Sequence, residues 1–128
     1  MKCRRGIKII NLINNAGISM RAELKDVDID VIKRVMDINF FGSVYCTKHA
    51  LPFILERRGT IVGVSSFAGY RGLPGRSGYS ASKHALQGWL EALRTELLDS
   101  GVNVMWVCPF FTTSNIRNVA LNKDGREQ

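Results

Sequence analysis

The segment Tyr79-Ser80-Ala81-Ser82-Lys83 pairs a phenol with an amine at a spacing that could support proton transfer. On a helix, residues four apart lie on one face, a turn from each other. A free tyrosine is a poor base at neutral pH, but a nearby ammonium and the positive end of a helix both favour the phenolate form. The pair is therefore a candidate general acid/base for a hydroxyl proton. Taken alone, Tyr-x-x-x-Lys is a common spacing that more often marks an exposed helical pair.

Two more polar residues stand where their side chains call for an explanation. Ser66 follows a short apolar segment, 13 residues before Tyr79, and Asn39 lies 40 residues before Tyr79 in a stretch of helical periodicity. Considered singly, Ser66 is a cap that begins a loop, and Asn39, a weak helix former, is a satisfied polar residue at a helix bend. Both become candidates for chemistry if the fold brings them to Tyr79 and Lys83.

The elements that must position these residues alternate between two apolar periods. The pattern predicts strands over 7–13, 60–65 and 102–107 and helices over 28–56 and 79–99. We expect Pro52 to kink or break the first helix and Gly101 to end the second. Strands that alternate with helices predict an α/β fold with a parallel sheet. The strands are apolar throughout, which is typical of a sheet covered on both faces.

Polar or Gly-rich loops follow all three predicted strands. They span 14–17, 65–78 and 109–115. Ligands of open α/β sheets bind beyond the carboxyl ends of the strands, so these loops are the expected location of a site. Residues 117–128 are polar and aperiodic, and we expect them to form a flexible tail on a single domain.

Composition excludes several classes of protein. The 128 residues suffice for one domain, and no apolar run approaches the roughly 18 residues of a membrane span. The net charge of +7 comes from scattered Lys and Arg residues without interleaved aromatics, so we expect neither nucleic acid nor membrane as a partner. The three cysteines have neither metal-ligand spacing nor an even count. A cytoplasmic protein without a metal is expected.

Taken in order, four motifs resemble those of the short-chain dehydrogenase/reductase family over residues 7–116. They are Asn14-Asn15-Ala16-Gly17, Asn39 within Ile38-Asn39-Phe40-Phe41-Gly42, Gly63-Val64-Ser65-Ser66, and Tyr79-x-x-x-Lys83. Four motifs at the family's spacings are far more specific than any one of them. The resemblance implies a Rossmann-like sheet with flanking helices. It also implies an oxidoreductase that transfers a hydride between NAD or NADP and a carbonyl or alcohol substrate.

The resemblance further implies a role for each catalytic candidate. Tyr79 would exchange a proton with the substrate oxygen, and Ser66 would hydrogen-bond that oxygen. Lys83 would favour the Tyr79 phenolate and hold the nicotinamide ribose. Asn39 would hold a water that links Lys83 to solvent. The hydride itself is supplied by the cofactor.

The resemblance also implies which residues contact the cofactor. Asn15, Ala16 and Gly17 would line it near the adenosine ribose. Beside Tyr79 and Lys83, the nicotinamide end would meet Pro109, Thr112 and Ser114. Phe110 follows Pro109 where the family usually has glycine, a departure that bears on the local nicotinamide contact. Aromatic and aliphatic residues would border an apolar substrate: Phe67, Tyr70, Leu73 and Phe111.

One family feature has no counterpart among residues 1–13. It is the strand and Gly-rich turn that hold the pyrophosphate, together with the residues that choose between NAD and NADP. The chain is therefore expected to be either a fragment of a longer enzyme or a remnant that needs a partner. The resemblance implies a homodimer or homotetramer formed through helices 28–57 and 79–99. The alternative to an enzyme is a non-catalytic module that uses those helices for dimerisation or partner binding.

Overall fold

The computed structural model describes residues 10–110 and 112–128. Residues 7–9 of the predicted first strand and Phe111 lie outside that part. Three strands alternate with helices, as the sequence predicts. The strands are β1 (Asn11–Asn14), β2 (Thr60–Val64) and β3 (Asn103–Val107). The main helices are α1 (Ile29–Met36), α2 (Gly42–Arg57) and α3 (Ser77–Glu96), with 3-10 turns at Phe67–Gly69 and Asn115–Arg117.

The sheet is parallel throughout, with β2 between β1 and β3. Ile61 of β2 pairs with Leu12 on one side and Val104 on the other. Parallel neighbours need a long crossover, and the helical segments between the strands provide it. The predicted α/β fold with a parallel sheet and flanking helices is confirmed.

Only one face of this sheet is covered by the described residues. Residues of both α2 and α3 pack in the same apolar cluster as Ile61 and Val104. Successive strand residues point to opposite faces, so the other face carries Ile13 and Met105, which are 63% and 40% exposed. The expectation of a sheet covered on both faces is therefore wrong for this part of the chain.

The predicted helix over 28–56 is two helices joined by a π-helical turn at Asp37–Phe41. The N–H of Gly42 donates to the carbonyl of Asp37, five residues back instead of four, so the turn holds one extra residue. Pro52, by contrast, does not interrupt α2. Proline removes only one helical hydrogen bond, and the packing of Ala50 and Ile54 in the core stabilises the helix around it.

After both α2 and α3, one residue in the left-handed backbone conformation turns the chain back towards the sheet. Arg58 has a φ of 53° after α2, and the Gly59 N–H donates to the Ile54 carbonyl over 3.0 Å. A side chain at Gly59 would overlap the carbonyl of Ile10, so glycine permits the entry into β2. Gly101 has a φ of 80° in the turn between α3 and β3. It lies beyond Glu96, the last residue of α3, so α3 ends before the predicted position.

The end of the chain packs against the core, in the segment 117–128 for which the sequence predicts a flexible tail. Leu121 is 3% exposed and lies in a second apolar cluster with Met20 and Tyr79. Its N–H donates to the Ser19 carbonyl, and its carbonyl accepts from the Arg21 N–H. The buried Ala120 and Leu121, together with these backbone hydrogen bonds, hold a largely polar segment against the core. None of the described helices is long and apolar enough to cross a membrane.

Candidate active site

A cavity of about 430 Å³ opens where β2 and β3 end. Eight of the ten residues to which the resemblance gives a catalytic or cofactor-binding role line it: Asn15, Gly17, Ser66, Tyr79, Lys83, Pro109, Thr112 and Ser114. Asn39 and Ala16 are not among the lining residues. The loops after the three strands therefore meet at one site, as parallel-sheet geometry predicts.

Tyr79 and Lys83 lie on the first two turns of α3. The carbonyl of Arg76, the residue before the helix, accepts from the Ser80 N–H over 2.8 Å. Tyr79 is buried in the cluster that contains Met20, and Lys83 lies one turn later with its Nζ 5.8 Å from the centre of the Tyr79 ring. The first two turns of the helix thus present a phenol and an amine to the same cavity.

The Lys83 amine is buried. It is 4% exposed, and its Nζ donates to the Val64 carbonyl over 2.9 Å. Burial lowers the pKa of Lys83 to about 8, and the nearby Cys108 thiol opposes that shift. An amine with this pKa takes up and releases protons near neutral pH, which a surface lysine does not.

Asn39 lies behind the cavity and connects two elements that border it. Its Oδ1 accepts from the Ile18 N–H over 2.8 Å, and its Nδ2 donates to the Ile18 carbonyl over 2.9 Å. Nδ2 also donates to Ser82 Oγ over 3.0 Å, and Ser82 Oγ in turn donates to the Tyr79 carbonyl over 2.7 Å. Both N–H groups of the amide are thus used to fix the loop after β1 against the first turn of α3.

The two serines at the end of β2 have different partners. Ser66 caps the short 3-10 turn that follows, since its Oγ accepts from the Ala68 N–H over 3.2 Å. Ser65 Oγ accepts from Gln87 Nε2 of α3 over 2.7 Å. That buried bond fixes the end of the strand, and the hydroxyl of the half-buried Ser66 borders the cavity.

The loop after β1 approaches Lys83 closely through Gly17. A Cβ built on Gly17 would lie 3.3 Å from Asn39 Oδ1 and 3.5 Å from Lys83 Nζ. Its neighbour Asn15 lines the cavity, whereas Ala16 is exposed elsewhere. Glycine at this position leaves space beside the amine that a side chain would occupy.

Apolar residues form much of the remaining wall. Phe67 and Leu73 line the cavity, as the sequence predicts for a substrate border. Tyr70 is absent from the described lining, and its hydroxyl accepts instead from Trp106 Nε1 over 3.0 Å. Phe110 replaces the expected glycine and makes an edge contact with Phe67, at 6.1 Å between ring centres.

Sequence reasoning missed three residues of this region. Arg76 and Arg117 both line the cavity, although they are 41 residues apart in the chain, and no local pattern marks Arg117. Ser82 lies inside the Tyr-x-x-x-Lys segment, but the sequence does not show that its hydroxyl joins the Asn39 amide to the Tyr79 carbonyl. A signal for Arg76 does exist, since it lies directly before the helix that carries Tyr79.

Comparisons with known proteins agree with this geometry. The profile of the family described as short chain dehydrogenase matches residues 4–124. The rat protein "Dehydrogenase/reductase SDR family member 7B" is 46% identical over 115 residues, which are 89% of this chain and 35% of that protein. "Dehydrogenase/reductase SDR family protein 7-like" of Drosophila melanogaster is 42% identical over the same share of each. The chain thus spans about a third of the length of these relatives.

A solved structure extends the comparison to three dimensions. A "4-hydroxyisoleucine dehydrogenase complexed with NADH" superposes with a TM-score of 0.74 and 29% sequence identity. The superposition covers 78% of this chain and 45% of that protein.

Proposed function

The chain belongs to the short-chain dehydrogenase family, and on that premise we propose that it supplies the catalytic part of an NAD- or NADP-dependent oxidoreductase. Its substrate is a carbonyl compound or an alcohol. The observation that carries this proposal is that Ser66, Tyr79 and Lys83 line one cavity, with the Lys83 amine buried beside the Tyr79 ring. An enzyme is favoured over a purely associating module because a module needs no buried amine at a cavity.

The residues present fit the nicotinamide end of such a cofactor. Gly17 leaves space beside the Lys83 amine, and the hydroxyls of Thr112 and Ser114 lie on the same cavity. Lys83 and Tyr79 would hold the ribose hydroxyls, and Thr112 and Ser114 the carboxamide. When bound, the cofactor supplies or accepts the hydride.

Proton transfer is the part of the reaction assigned to the chain itself. Tyr79 donates its hydroxyl proton to the substrate oxygen during reduction and takes it back during oxidation. Ser66 donates a hydrogen bond to the same oxygen and fixes its place. The Lys83 ammonium stabilises the Tyr79 phenolate and, with its lowered pKa, returns the proton. Asn39 acts through position, since its amide holds the loop of Gly17 against α3.

We also propose that the chain associates with a second copy through α2 and α3. An aromatic strip joins the start of α2 to α3, and two of its rings, those of Phe41 and Tyr45, are exposed. The strip is defined by Phe40 and Phe41 of the π-helical turn, Tyr45 of α2 and Trp89 of α3. Phe40 bridges the helices, with its ring 5.0 Å from Phe41 and 6.3 Å from Trp89. Exposed aromatic residues in contact with one another are typical of protein interfaces.

Cofactor binding tests the proposal. We expect the purified chain to bind NADH or NADPH saturably, with enhanced nicotinamide fluorescence, and to lose this on Lys83→Ala. Lys48→Ala, which removes an exposed lysine of α2, is the matched control and should leave binding unchanged. Absence of binding by a chain whose circular dichroism shows it to be folded would exclude a nicotinamide site in these residues.

A further inference from the structure

The hydroxyl of Ser19 is a buried polar group that the proposed proton transfer does not use. Ser19 lies two residues after Gly17 in the loop that follows β1, is 5% exposed and borders the cavity. Its Oγ makes no hydrogen bond with any residue in 10–110 or 112–128. Among the same residues, no side-chain nitrogen or oxygen that is closed off from solvent lacks a partner, so this Oγ must retain contact with solvent. For a residue this buried, that solvent is the solvent of the cavity.

Ser19 shares this state with Tyr79. Four polar side chains that border the cavity are more than nine-tenths buried, and two of them, Ser65 and Lys83, are hydrogen-bonded to protein groups. The hydroxyls of Tyr79 and Ser19 have no partner in the part of the chain that the structure describes. The great majority of buried polar groups in native proteins are hydrogen-bonded, and an exception at a cavity indicates a ligand. The reacting oxygen of the substrate would be the partner of Tyr79, but Ser19 has no such assignment.

The backbone on both sides of Ser19 is fixed. The Ile18 N–H and carbonyl are both bonded to the Asn39 amide. The Ser19 carbonyl accepts from the Leu121 N–H over 2.9 Å, and the Leu121 carbonyl accepts from the Arg21 N–H over 2.8 Å. The hydroxyl is therefore carried by a preorganised segment, and a ligand that binds it loses little free energy to ordering the loop.

The loop that carries Ser19 runs from the amine of the site to its phenol. A Cβ on Gly17 would lie 3.5 Å from Lys83 Nζ. Three residues later, Met20 packs in the apolar cluster that contains Tyr79. Ser19 directly precedes Met20, so it belongs to the end of the loop that borders the phenol. The phenol acts on the substrate, whereas the amine would hold the cofactor ribose.

We propose that Ser19 binds the substrate at a second oxygen, distinct from the one that Tyr79 protonates. The proposal rests on the proposed function and names the substrate class of that site. A serine hydroxyl both donates and accepts, and another hydroxyl group matches it in both respects. Phe67, Leu73 and Ile116 line the same cavity and suit an apolar skeleton. The expected substrate is thus an apolar hydroxyketone, or the diol that its reduction gives.

Ligand-observed NMR titration of the full chain tests this inference without requiring turnover. The probes are methyl hexyl ketone and its derivatives with a hydroxyl one, two or three carbons from the carbonyl. The skeleton is constant, so only the position of the hydroxyl varies. We expect at least one hydroxyketone to bind about 3- to 10-fold more tightly than the parent ketone, the range for one neutral hydrogen bond. The derivative that binds best gives the separation of the two oxygens.

The variant Ser19→Ala should reduce that preference to less than twofold. Ser77→Ala is the matched control and should retain it, since Ser77 is an exposed serine at the start of α3 that is absent from the described cavity lining. Because the Ser19 hydroxyl has no partner in the described chain, Ser19→Ala should also leave the urea midpoint of unfolding unchanged or raise it.

Several outcomes would overturn the inference. They are equal affinity for the parent ketone and all its derivatives, an undiminished preference in Ser19→Ala, and no binding of any probe. A lower urea midpoint for Ser19→Ala would also overturn it, since the hydroxyl would then hold the fold. So would a loss of NADH or NADPH affinity in that variant, since Ser19 would then serve the cofactor. Nicotinamide binding that depends on Lys83 reports on the proposed function separately.

Discussion

Asn39 and Ile18 form a reciprocal pair of hydrogen bonds, side chain to backbone, across the base of the cavity. The Asn39 amide accepts from the Ile18 N–H at 2.8 Å and donates to the Ile18 carbonyl at 2.9 Å. It thereby imitates the pairing that a neighbouring strand would give to the loop after β1. Asn39 lies in the π-helical turn, which holds one residue more than an α-helical turn. From this turn its side chain points inward and reaches Ile18.

Removing this pairing should destabilise the fold. Asn39→Leu leaves the Ile18 N–H and carbonyl without their partner, at a cost of about 2–5 kcal/mol in the free energy of unfolding. Ser82→Ala removes one hydrogen bond of the same amide but leaves the Ile18 pair intact, and should cost about 1 kcal/mol. Urea unfolding of both variants measures the difference. Equal destabilisation by the two changes would contradict the role given to the Ile18 pair.

Gly17 should be intolerant of a methyl group because of its distance from Asn39 and Lys83. In Gly17→Ala the new Cβ lies 3.3 Å from Asn39 Oδ1, so that amide must give by a few tenths of an ångström, and it fills the space beside Lys83 Nζ at 3.5 Å. We expect roughly a tenfold loss of nicotinamide affinity, the scale of a modest overpacking penalty. Gly72→Ala is the matched control, since a Cβ there meets no heavy atom within 4 Å. Fluorescence titration of the two variants with NADH and NADPH measures their nicotinamide affinities, and equal affinities of Gly17→Ala and Gly72→Ala would refute this prediction.

The buried amine predicts an unusual dependence of stability on pH. The pKa of Lys83 is about 8 in the folded chain and near 10.5 when exposed on unfolding. Between these values the unfolded chain holds a proton that the folded chain does not, so the free energy of unfolding rises with pH. The rise should amount to roughly 3 kcal/mol from pH 8 to 10.5 and should be absent below pH 8.

Comparison with Lys83→Met isolates this contribution from other titrating groups. The difference in unfolding free energy between wild type and Lys83→Met should shift in favour of wild type across that pH window. Lys48→Met, at an exposed position, should follow the wild-type curve. Parallel curves of unfolding free energy against pH for wild type and Lys83→Met would mean that the pKa of the Lys83 amine is not lowered in the folded chain.

The aromatic strip predicts the oligomeric mass in solution, because we propose that it forms the contact between copies of the chain. Tyr45 is 63% exposed with its ring 6.4 Å from that of Phe41, and a carboxylate at its position would have to be buried in an interface. Tyr45→Glu should therefore convert a dimer or tetramer to monomer in light scattering after size exclusion. Tyr70→Glu replaces a tyrosine of similar exposure, 56%, outside the strip and should leave the mass unchanged. A wild-type monomer would argue against association through this surface.

The sequence predicts the order of strands and helices because apolar periodicity is local. It predicts the clustering of Ser66, Tyr79 and Lys83 because parallel strands end at one edge. It does not predict the π-helical turn, which depends on the reach of Asn39 to Ile18 across the fold. The turn is stabilised by a partner 21 residues away, and no propensity encodes that.

Two other differences have the same origin in tertiary contacts. Val119, Ala120 and Leu121 are a short apolar run in an otherwise polar segment, and only the fit of Leu121 beside Met20 reveals that the end of the chain packs on the core. Arg76 and Arg117 lie in separate segments, so their meeting at the cavity is invisible to any short window. The residues that the resemblance names are those with local motifs. The residues that distinguish this site are assembled by the fold.

The role of Tyr79 is tested most directly by reduction of a carbonyl substrate, followed through NADH or NADPH absorbance, in wild type and Tyr79→Phe. The substitution removes one hydroxyl and keeps the buried ring that packs beside Met20. We expect kcat to fall by about 10²- to 10⁴-fold, the range for a general acid, while nicotinamide affinity falls by about tenfold at most, the loss of one hydrogen bond to the ribose. Turnover by Tyr79→Phe at the wild-type rate would contradict the assignment of Tyr79 as the proton donor.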